Sequence, residues 1–162
     1  MLRQIAHFKL AIICCLFLAV AACSKKATNN LEAGMGAAPG TEQEFTTVVG
    51  DRVFFQEDQT NLTSEAQDTL RRQAAWLKKY PEVTVQVEGH ADERGTREYN
   101  IALSARRATA AREFLIAQGV SAKRISSIAY GKERPVAMCD AEQCWSQNRR
   151  AVTVITGGAR TS

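Results

Sequence analysis

A strand, a charged loop and a long helix follow one another between residues 83 and 118, and this order restricts the fold more than any other feature. The segment VTVQVEGH (83–90) alternates valine with polar residues, which is the period of a strand with one buried face. Apolar residues then recur at helical spacing over about residues 97–118, and Gly119 supplies a helix stop. The charged loop between them therefore joins a strand end to the first turn of a helix.

A strand and a helix are also predicted before this unit. RVFF (52–55) is typical of a short strand, and Ser64 with Gln67 three residues later fits a capping box. Pro81 ends the helix that follows. An apolar stripe marks its buried face: Ala66, Leu70, Ala74 and Leu77.

Two more strands are predicted after the unit, RISSIAYG (124–131) and AVTVIT (151–156), joined by a loop that carries Cys139 and Cys144. The resulting order is β-α-β-α-β-β. This order predicts an α+β domain in which helices pack on a mixed sheet.

The N-terminus has the layout of a signal peptide. Arg3 and Lys9 precede an uninterrupted apolar run over residues 10–22, which is too short to span a bilayer. The last three residues of the run and the next residue, Cys23, read VAAC. This segment resembles the bacterial lipobox, which implies cleavage after residues 1–22 and lipidation of Cys23. The alternative is an ordinary secretory signal followed by an unrelated cysteine.

Residues 23–44 are predicted to form the lipidated terminus and a flexible tether, and residues 45–162 the folded domain. The tether lacks sustained periodicity and contains several glycines and a proline. As a random coil it has a root-mean-square span of about 25 Å, which keeps the domain near its membrane. Ser24 follows the cysteine where an aspartate usually signals inner-membrane retention. The sequence therefore favours the outer membrane, with the domain facing the periplasm.

Charge and cysteine content narrow the class of partner. The full chain carries a net charge of +4, and removal of residues 1–22 takes away two bases and no acid, leaving +2. This balance does not indicate nucleic-acid binding. Once the signal has gone and Cys23 is lipidated, Cys139 and Cys144 remain to form a disulfide in the oxidising periplasm. Two free thiols are the alternative.

The loop after the second strand concentrates charge. Asp92 lies at the strand end, and Arg107 lies on the helix that follows, whose N-terminal end favours an anion. An acid and an arginine placed together suit a ligand with an ammonium and a carboxylate group, because Asp92 accepts from the first and the Arg107 guanidinium donates to the second. The stretch thus predicts a site for a zwitterion.

Other interpretations of the stretch have less support. Asp92 could simply cap a turn or the following helix. His90 and Asp92 could form an acid–base pair in a cell-wall hydrolase, but Ser104 follows no nucleophile elbow. His90 is the one histidine left after the signal, so three metal ligands are not evident. We predict no enzyme, no metal and no cofactor.

The segment EGHADERGTREYNIALSARRATA, together with YGKERP and NRRAV, resembles the peptidoglycan-associated lipoproteins of Gram-negative bacteria. These proteins have a periplasmic domain of the outer-membrane-protein-A (OmpA-like) type, and the resemblance covers about residues 45–156. It implies a non-enzymatic domain that binds the meso-diaminopimelate residue of the peptidoglycan stem peptide. It also implies the Tol-Pal system, chiefly TolB, as partner, with a role in envelope integrity and cell division. The alternative is an OmpA-like outer-membrane lipoprotein without Tol partners.

The resemblance assigns a set of peptidoglycan-binding residues. One position departs from the family pattern, since Glu57 stands where an aromatic or aliphatic residue is common, and an apolar wall is expected to be missing there. The assigned residues are Asp58, Asp92, Arg94, Thr96, Asn100, Leu103 and Arg107.

Overall fold

A four-stranded mixed sheet forms the centre of the domain in the computed structural model, which describes residues 36–161. Strand β4 is central and antiparallel to β1 and β2, while β2 is parallel to β3 at the far edge, giving the order β1-β4-β2-β3. The strands are β1 (Arg52–Phe54), β2 (Thr84–Gly89), β3 (Ile125–Ala129) and β4 (Arg150–Gly157). The predicted α+β class and the mixed sheet are confirmed.

Four helices accompany the sheet. They are α1 (Glu42–Glu44), which continues into a π-helical segment Phe45–Gly50, then α2 (Ser64–Lys79), α3 (Arg97–Ala117) and α4 (Glu142–Asn148), with a 3₁₀ turn at Ala122–Arg124. Between residues 36 and 161, no helix is both long and apolar enough to cross a membrane. The predicted signal peptide, Cys23 and the tether up to residue 35 lie outside the described residues.

Helices α2 and α3 pack on one face of the sheet and bury a single apolar core. On that face the valines at 85 and 87 of β2 are buried, as the alternating pattern predicts, while Thr84 is exposed and Gln86 and Glu88 are partly exposed. Leu70 and Leu77 of α2 and Leu115 of α3 have no exposed surface. Full burial of one such side chain stabilises the fold by about 1.5–3 kcal/mol.

Strand β2 and helix α3 approach so closely that only glycine fits at one position. A Cβ atom built on Gly89 would lie 1.9 Å from the backbone oxygen of Ser104 in α3. The Ser104 hydroxyl accepts a hydrogen bond from the amide of Gly131 at 2.9 Å, which joins the loop after β3 to the same contact. The end of β2 is therefore held directly against the helix.

The start of α2 differs by one residue from the prediction. The N-cap is Thr63, whose hydroxyl accepts from the amide of Ala66 at 3.2 Å, and Ser64 is the first helical residue. Gln67 donates its side-chain amide to the carbonyl of Leu62 at 3.1 Å. The capping box proposed for Ser64 and Gln67 is wrong, because Thr63 offers its hydroxyl one residue earlier.

The folded unit takes in residues that precede 45. Thr41 is buried, caps α1 by accepting from the amide of Glu44, and pairs with Arg160 in an isolated parallel bridge. Glu44 in turn accepts from the indole N–H of Trp76 at 2.6 Å. Residues 37–161 belong to one compact unit. The chain thus enters the unit beside the residues that end it.

The segment predicted as a loop between the last two strands contains α4. Cys139 and Cys144 form a disulfide there, with Cα atoms 5.6 Å apart. The N-cap of α4 is Ala141, which has no side-chain group to satisfy the first amides. A helix of seven residues without a cap is not stable alone, so the disulfide and tertiary contacts hold it.

Candidate functional site

A cavity of about 160 Å³ gathers residues from three separate segments. The loop after β1, the loop after β2 and the first turns of α3 each supply a wall. The lining residues are Glu57, Asp58, Asp92, Arg94, Gly95, Tyr99, Asn100, Leu103 and Arg107. Six of the seven residues assigned from the sequence therefore meet at one place.

Thr96 is the assigned residue that does not line the cavity. Its hydroxyl accepts a hydrogen bond from the amide of Tyr99 at 3.2 Å and so caps α3. The side-chain amide of Asn100 donates to the carbonyl of Arg94 at 2.7 Å. These two bonds fix the turn that joins the loop to the helix, which sets the position of the residues that do line the cavity.

Arg107 is completely buried at the base of the cavity and holds three backbone carbonyls. Its Nε donates to Gln59, Nη1 to His90 and Nη2 to Gln56, over 3.0–3.1 Å. Burial, the largest influence, lowers the pKa of Arg107 to about 10, so the side chain stays charged at neutral pH. The guanidinium therefore ties the loop after β1 to the end of β2, and it keeps further N–H groups for a ligand.

Asp92 lies between two arginines. Its carboxylate accepts from the amide, Nε and Nη2 of Arg94 over 2.7–3.4 Å, and from Nη1 of Arg149 at 3.3 Å. Burial alone would raise the pKa of Asp92, but the hydrogen bonds from Arg94 and Arg149 outweigh it and hold the pKa below its usual value. Asp92 is therefore ionised, and the donors already present use most of its acceptor capacity.

Arg94 reaches across the cavity from Asp92 to the loop after β1. Its Nη1 donates to Glu57 at 2.8 Å, and its guanidinium lies 4.2 Å from the ring centroid of Trp145 in α4. The family resemblance implies that an apolar wall is missing at Glu57. The structure has the half-exposed Arg94–Glu57 ion pair at this position, and the ring of Trp145 lies against the guanidinium.

Asp58 has a less crowded carboxylate than Asp92. It is in the left-handed region, with φ of 53°, a conformation that aspartate adopts more easily than most residues. Among the described residues it accepts one side-chain hydrogen bond, from the hydroxyl of Tyr99 at 3.1 Å. This bond raises the pKa of Tyr99 above its usual value. Asp58 thus keeps acceptor capacity for a ligand.

From the sequence, Arg149 at the start of the last strand is expected to stabilise a loop or shape the rim of the site, whereas the contribution of α4 is missed. The buried Arg149 donates from Nε to the carbonyl of Phe55 at 3.1 Å, and it bonds both carboxylate oxygens of Glu142 as well as Asp92. Trp145 donates its indole N–H to Glu93 at 2.9 Å. No local pattern signals the contacts with Phe55, Asp92 and Glu93, because these partners lie more than fifty residues away along the chain.

His90 does not form the acid–base pair considered from the sequence. Its ring is 2% exposed, and in the described part of the chain neither ring nitrogen has a hydrogen-bond partner. Burial, aided by the charges of Arg150 and Arg134, lowers the pKa of His90 to about 4, although the Glu88 carboxylate lies 3.7 Å from Nε2. Asp92 bonds the two arginines and makes no bond to His90 within residues 36–161.

The cavity offers charges of both signs at fixed positions. Three carboxylates and two guanidinium groups line it, with Leu103 as an apolar patch. A volume of about 160 Å³ corresponds to about five water molecules, which suits the head group of an amino acid. In the part of the chain that the structure covers, no three His, Cys, Asp or Glu side chains are grouped to hold a metal ion. The arrangement is chemically suited to a zwitterion.

Comparison with known proteins gives concordant results. The OmpA family model matches residues 54–150. The peptidoglycan-associated lipoprotein of Brucella melitensis biotype 1 is 53% identical over 98% of both chains, and that of Mesorhizobium japonicum is 56% identical over 86% of this chain and 87% of its own. The relative in Haemophilus influenzae is 41% identical over 83% of this chain and 88% of its own.

Solved structures agree. The crystal structure of the peptidoglycan-associated lipoprotein from Burkholderia pseudomallei matches with a TM-score of 0.64 at 39% identity, covering 65% of this chain and 90% of that one. The C-terminal domain of Helicobacter pylori MotB matches with a TM-score of 0.62 at 24% identity, covering 66% and 84%. The second likeness concerns the fold alone.

Proposed function

Because the chain belongs to the OmpA family, and within it to the peptidoglycan-associated lipoproteins, we propose that it binds peptidoglycan noncovalently from the outer membrane. The contact is the meso-diaminopimelate residue of the stem peptide. Its free end carries an ammonium and a carboxylate on one carbon, which is the zwitterion that the cavity suits. The observation that supports the proposal most is the meeting of Asp58, Asp92 and Arg107 in one small cavity.

Each end of the zwitterion has a partner in the cavity. The ammonium donates to Asp58, which has acceptor capacity to spare, and approaches Asp92. The carboxylate accepts from the N–H groups of Arg107 that do not hold backbone carbonyls. Leu103 packs against the methylene chain of the ligand. Lysine at the same position of the stem peptide has the ammonium without the carboxylate and leaves Arg107 unpaired.

Binding exchanges contacts that exist in the free protein. Arg94 bonds both Asp92 and Glu57, so a ligand ammonium that reaches Asp92 displaces part of this arrangement. The displaced guanidinium can bond the ligand carboxylate, and its stacking on Trp145 at 4.2 Å keeps it close. Charges remain paired throughout, which limits the free-energy cost of the exchange.

The proposed wider role combines lipidation of Cys23 with binding of the cell wall by the folded domain. Lipid on Cys23 would anchor the protein in the outer membrane, and the domain would bind the cell wall from the periplasmic side. In this proposal the protein works with TolB and other Tol-Pal components in envelope integrity and cell division. Relatives named peptidoglycan-associated lipoprotein support the first part.

The test is calorimetric titration of the soluble chain, residues 24–162, with two muropeptides that differ only in diaminopimelate or lysine at the third position. We expect binding of the first and not the second. Asp58→Asn should abolish binding, whereas Asp68→Asn, which changes an exposed acid on α2, should not. Equal binding of the two muropeptides, or none, would refute the zwitterion site.

The Tol-Pal part has its own test. Immobilised TolB should retain the soluble chain from solution. Failure to retain it, with muropeptide binding intact, would favour an OmpA-like lipoprotein without Tol partners.

A further inference from the structure

A second groove, of about 660 Å³, lies between the end of β1 and helix α4. We call it the β1–α4 groove. Its volume is about four times that of the cavity that forms the zwitterion site, and it has no role in the function proposed above. Its lining residues are Phe54, Phe55, Gln56, Thr63, Ser64, Glu65, Glu142, Ser146, Gln147 and Arg149.

The groove and the zwitterion cavity share a wall. Arg149 lines the groove and bonds Asp92, which lines the cavity, at 3.3 Å. Gln56 lines the groove, and the next residue, Glu57, lines the cavity. The groove and the cavity are therefore neighbours, separated by the buried Arg149–Asp92 ion pair.

The side chains of the groove suit a neutral, hydroxyl-rich ligand. Phe54 is 47% exposed, which is unusual for a phenylalanine and provides a flat apolar face. Hydroxyl groups and side-chain amides surround it, and they both donate and accept hydrogen bonds. They belong to Thr63, Ser64, Ser146, Gln56 and Gln147.

The charges of the groove disfavour an anionic ligand. Glu142 is paired with Arg149, which is buried and also donates from Nε to Phe55 and from Nη1 to Asp92. Glu65 is left as an acid without an ion-pair partner among residues 36–161. An aromatic face with hydroxyls and amides, and no free cation, matches the apolar face and the hydroxyl and acetamido groups of an amino sugar.

We propose that the β1–α4 groove binds the amino-sugar chain of the peptidoglycan whose stem peptide occupies the cavity. This inference rests on the function proposed above. Two residues separate diaminopimelate from the lactyl group of the sugar and span about 7 Å when extended, and the diaminopimelate side chain adds to this, so the sugar lies more than about 7 Å from the zwitterion. Phe54 stacks on a sugar ring, and Gln147 bonds its polar groups. The protein thus recognises the cell wall by peptide and glycan together.

The experiment compares two ligands on the soluble chain, residues 24–162. One is the free diaminopimelate tetrapeptide, and the other is the same tetrapeptide on its N-acetylglucosamine–N-acetylmuramic acid disaccharide. We expect the disaccharide to tighten binding about tenfold, the equivalent of about 1.4 kcal/mol. Phe54→Ala should reduce this gain to less than about twofold, and Gln147→Ala should reduce it in part, while the affinity for the free tetrapeptide stays unchanged.

The matched control is Ile128→Ala, which removes an apolar side chain that is 37% exposed on the same face of the sheet but at the opposite edge. It should leave both affinities unchanged. The groove proposal is overturned if wild-type protein binds both ligands equally, or if Phe54→Ala and Gln147→Ala keep the full gain. It is also overturned if these variants lose only TolB, which would make the groove a protein-binding surface. Loss of both ligands from wild-type protein would instead refute the zwitterion site itself.

Discussion

Arg107 has two roles in the structure, and Arg107→Ala should therefore destabilise the domain as well as abolish ligand binding. The guanidinium has no exposed surface and holds the carbonyls of Gln56, Gln59 and His90. Alanine leaves all three carbonyls without this donor and frees the loop after β1 from the end of β2.

The magnitude follows from two opposing terms. Three hydrogen bonds from a charged donor, at about 2 kcal/mol each, contribute about 6 kcal/mol. Burial lowers the pKa of Arg107 to about 10, which corresponds to an unfavourable burial of the charge on the order of 3 kcal/mol that alanine relieves. The net loss in the free energy of unfolding is about 3 kcal/mol. Arg107→Lys keeps the charge but not the planar set of donors, so its loss should be intermediate.

Urea unfolding followed by circular dichroism at pH 7 measures this loss. The control is Arg106→Ala, which makes the same change at the adjacent, exposed residue of α3 and should alter stability by less than about 0.5 kcal/mol. If Arg107→Ala unfolds at the same urea concentration as Arg106→Ala, the three carbonyl contacts do not stabilise the fold, and the argument for a structural role is refuted.

Three further outcomes are expected in urea unfolding. His90 is neutral in the fold, with a pKa of about 4 against 6.5 for an unperturbed histidine, so the free energy of unfolding should fall by about 2–3 kcal/mol between pH 7 and 4.5. His90→Phe should remove that part of the fall. An equal fall in both proteins would contradict this. Reduction of the Cys139–Cys144 disulfide should lower the free energy of unfolding by about 2 kcal/mol. A variant with both cysteines replaced by serine should not respond to reductant. If that variant does respond, the reductant acts elsewhere. Gly89→Ala should cost about 3 kcal/mol or more, because the new methyl group meets the backbone oxygen of Ser104; native stability would show that α3 moves aside freely.

The regular elements could be predicted because their patterns are local. Alternating valines in β2 and the apolar stripe of α2 each describe one buried face, and the structure differs by a residue or two at the ends. Helix α4 escaped prediction because it is short, begins at Ala141 without a cap, and depends on a disulfide and on contacts with distant residues. Local pattern carries no signal for such a helix.

The candidate site likewise contains residues that could be grouped from the sequence and residues that could not. Asp92 and Arg107 could be grouped from the sequence because one strand, one loop and one helix connect them. Asp58 entered only by family resemblance, since it lies thirty-four residues before Asp92 along the chain. Arg149 could be placed from the sequence only in a loop-stabilising role or at the rim of the site, because its bonds to Phe55 and Asp92 join residues more than fifty positions apart.

The central position of β4 has a mechanical consequence for the proposed link between membrane and wall. Arg149, at one end of this strand, contacts the ligand cavity, and Arg160, just past the other end, pairs with Thr41, where the chain enters the folded unit. The eight residues of β4 span about 26 Å, and the strand is bonded to β1 on one side and β2 on the other. In the proposed function, tension between wall and membrane enters the domain near the two ends of β4. Force directed along the strand would load both ladders in shear, so that many hydrogen bonds must break together, whereas peeling breaks them one at a time.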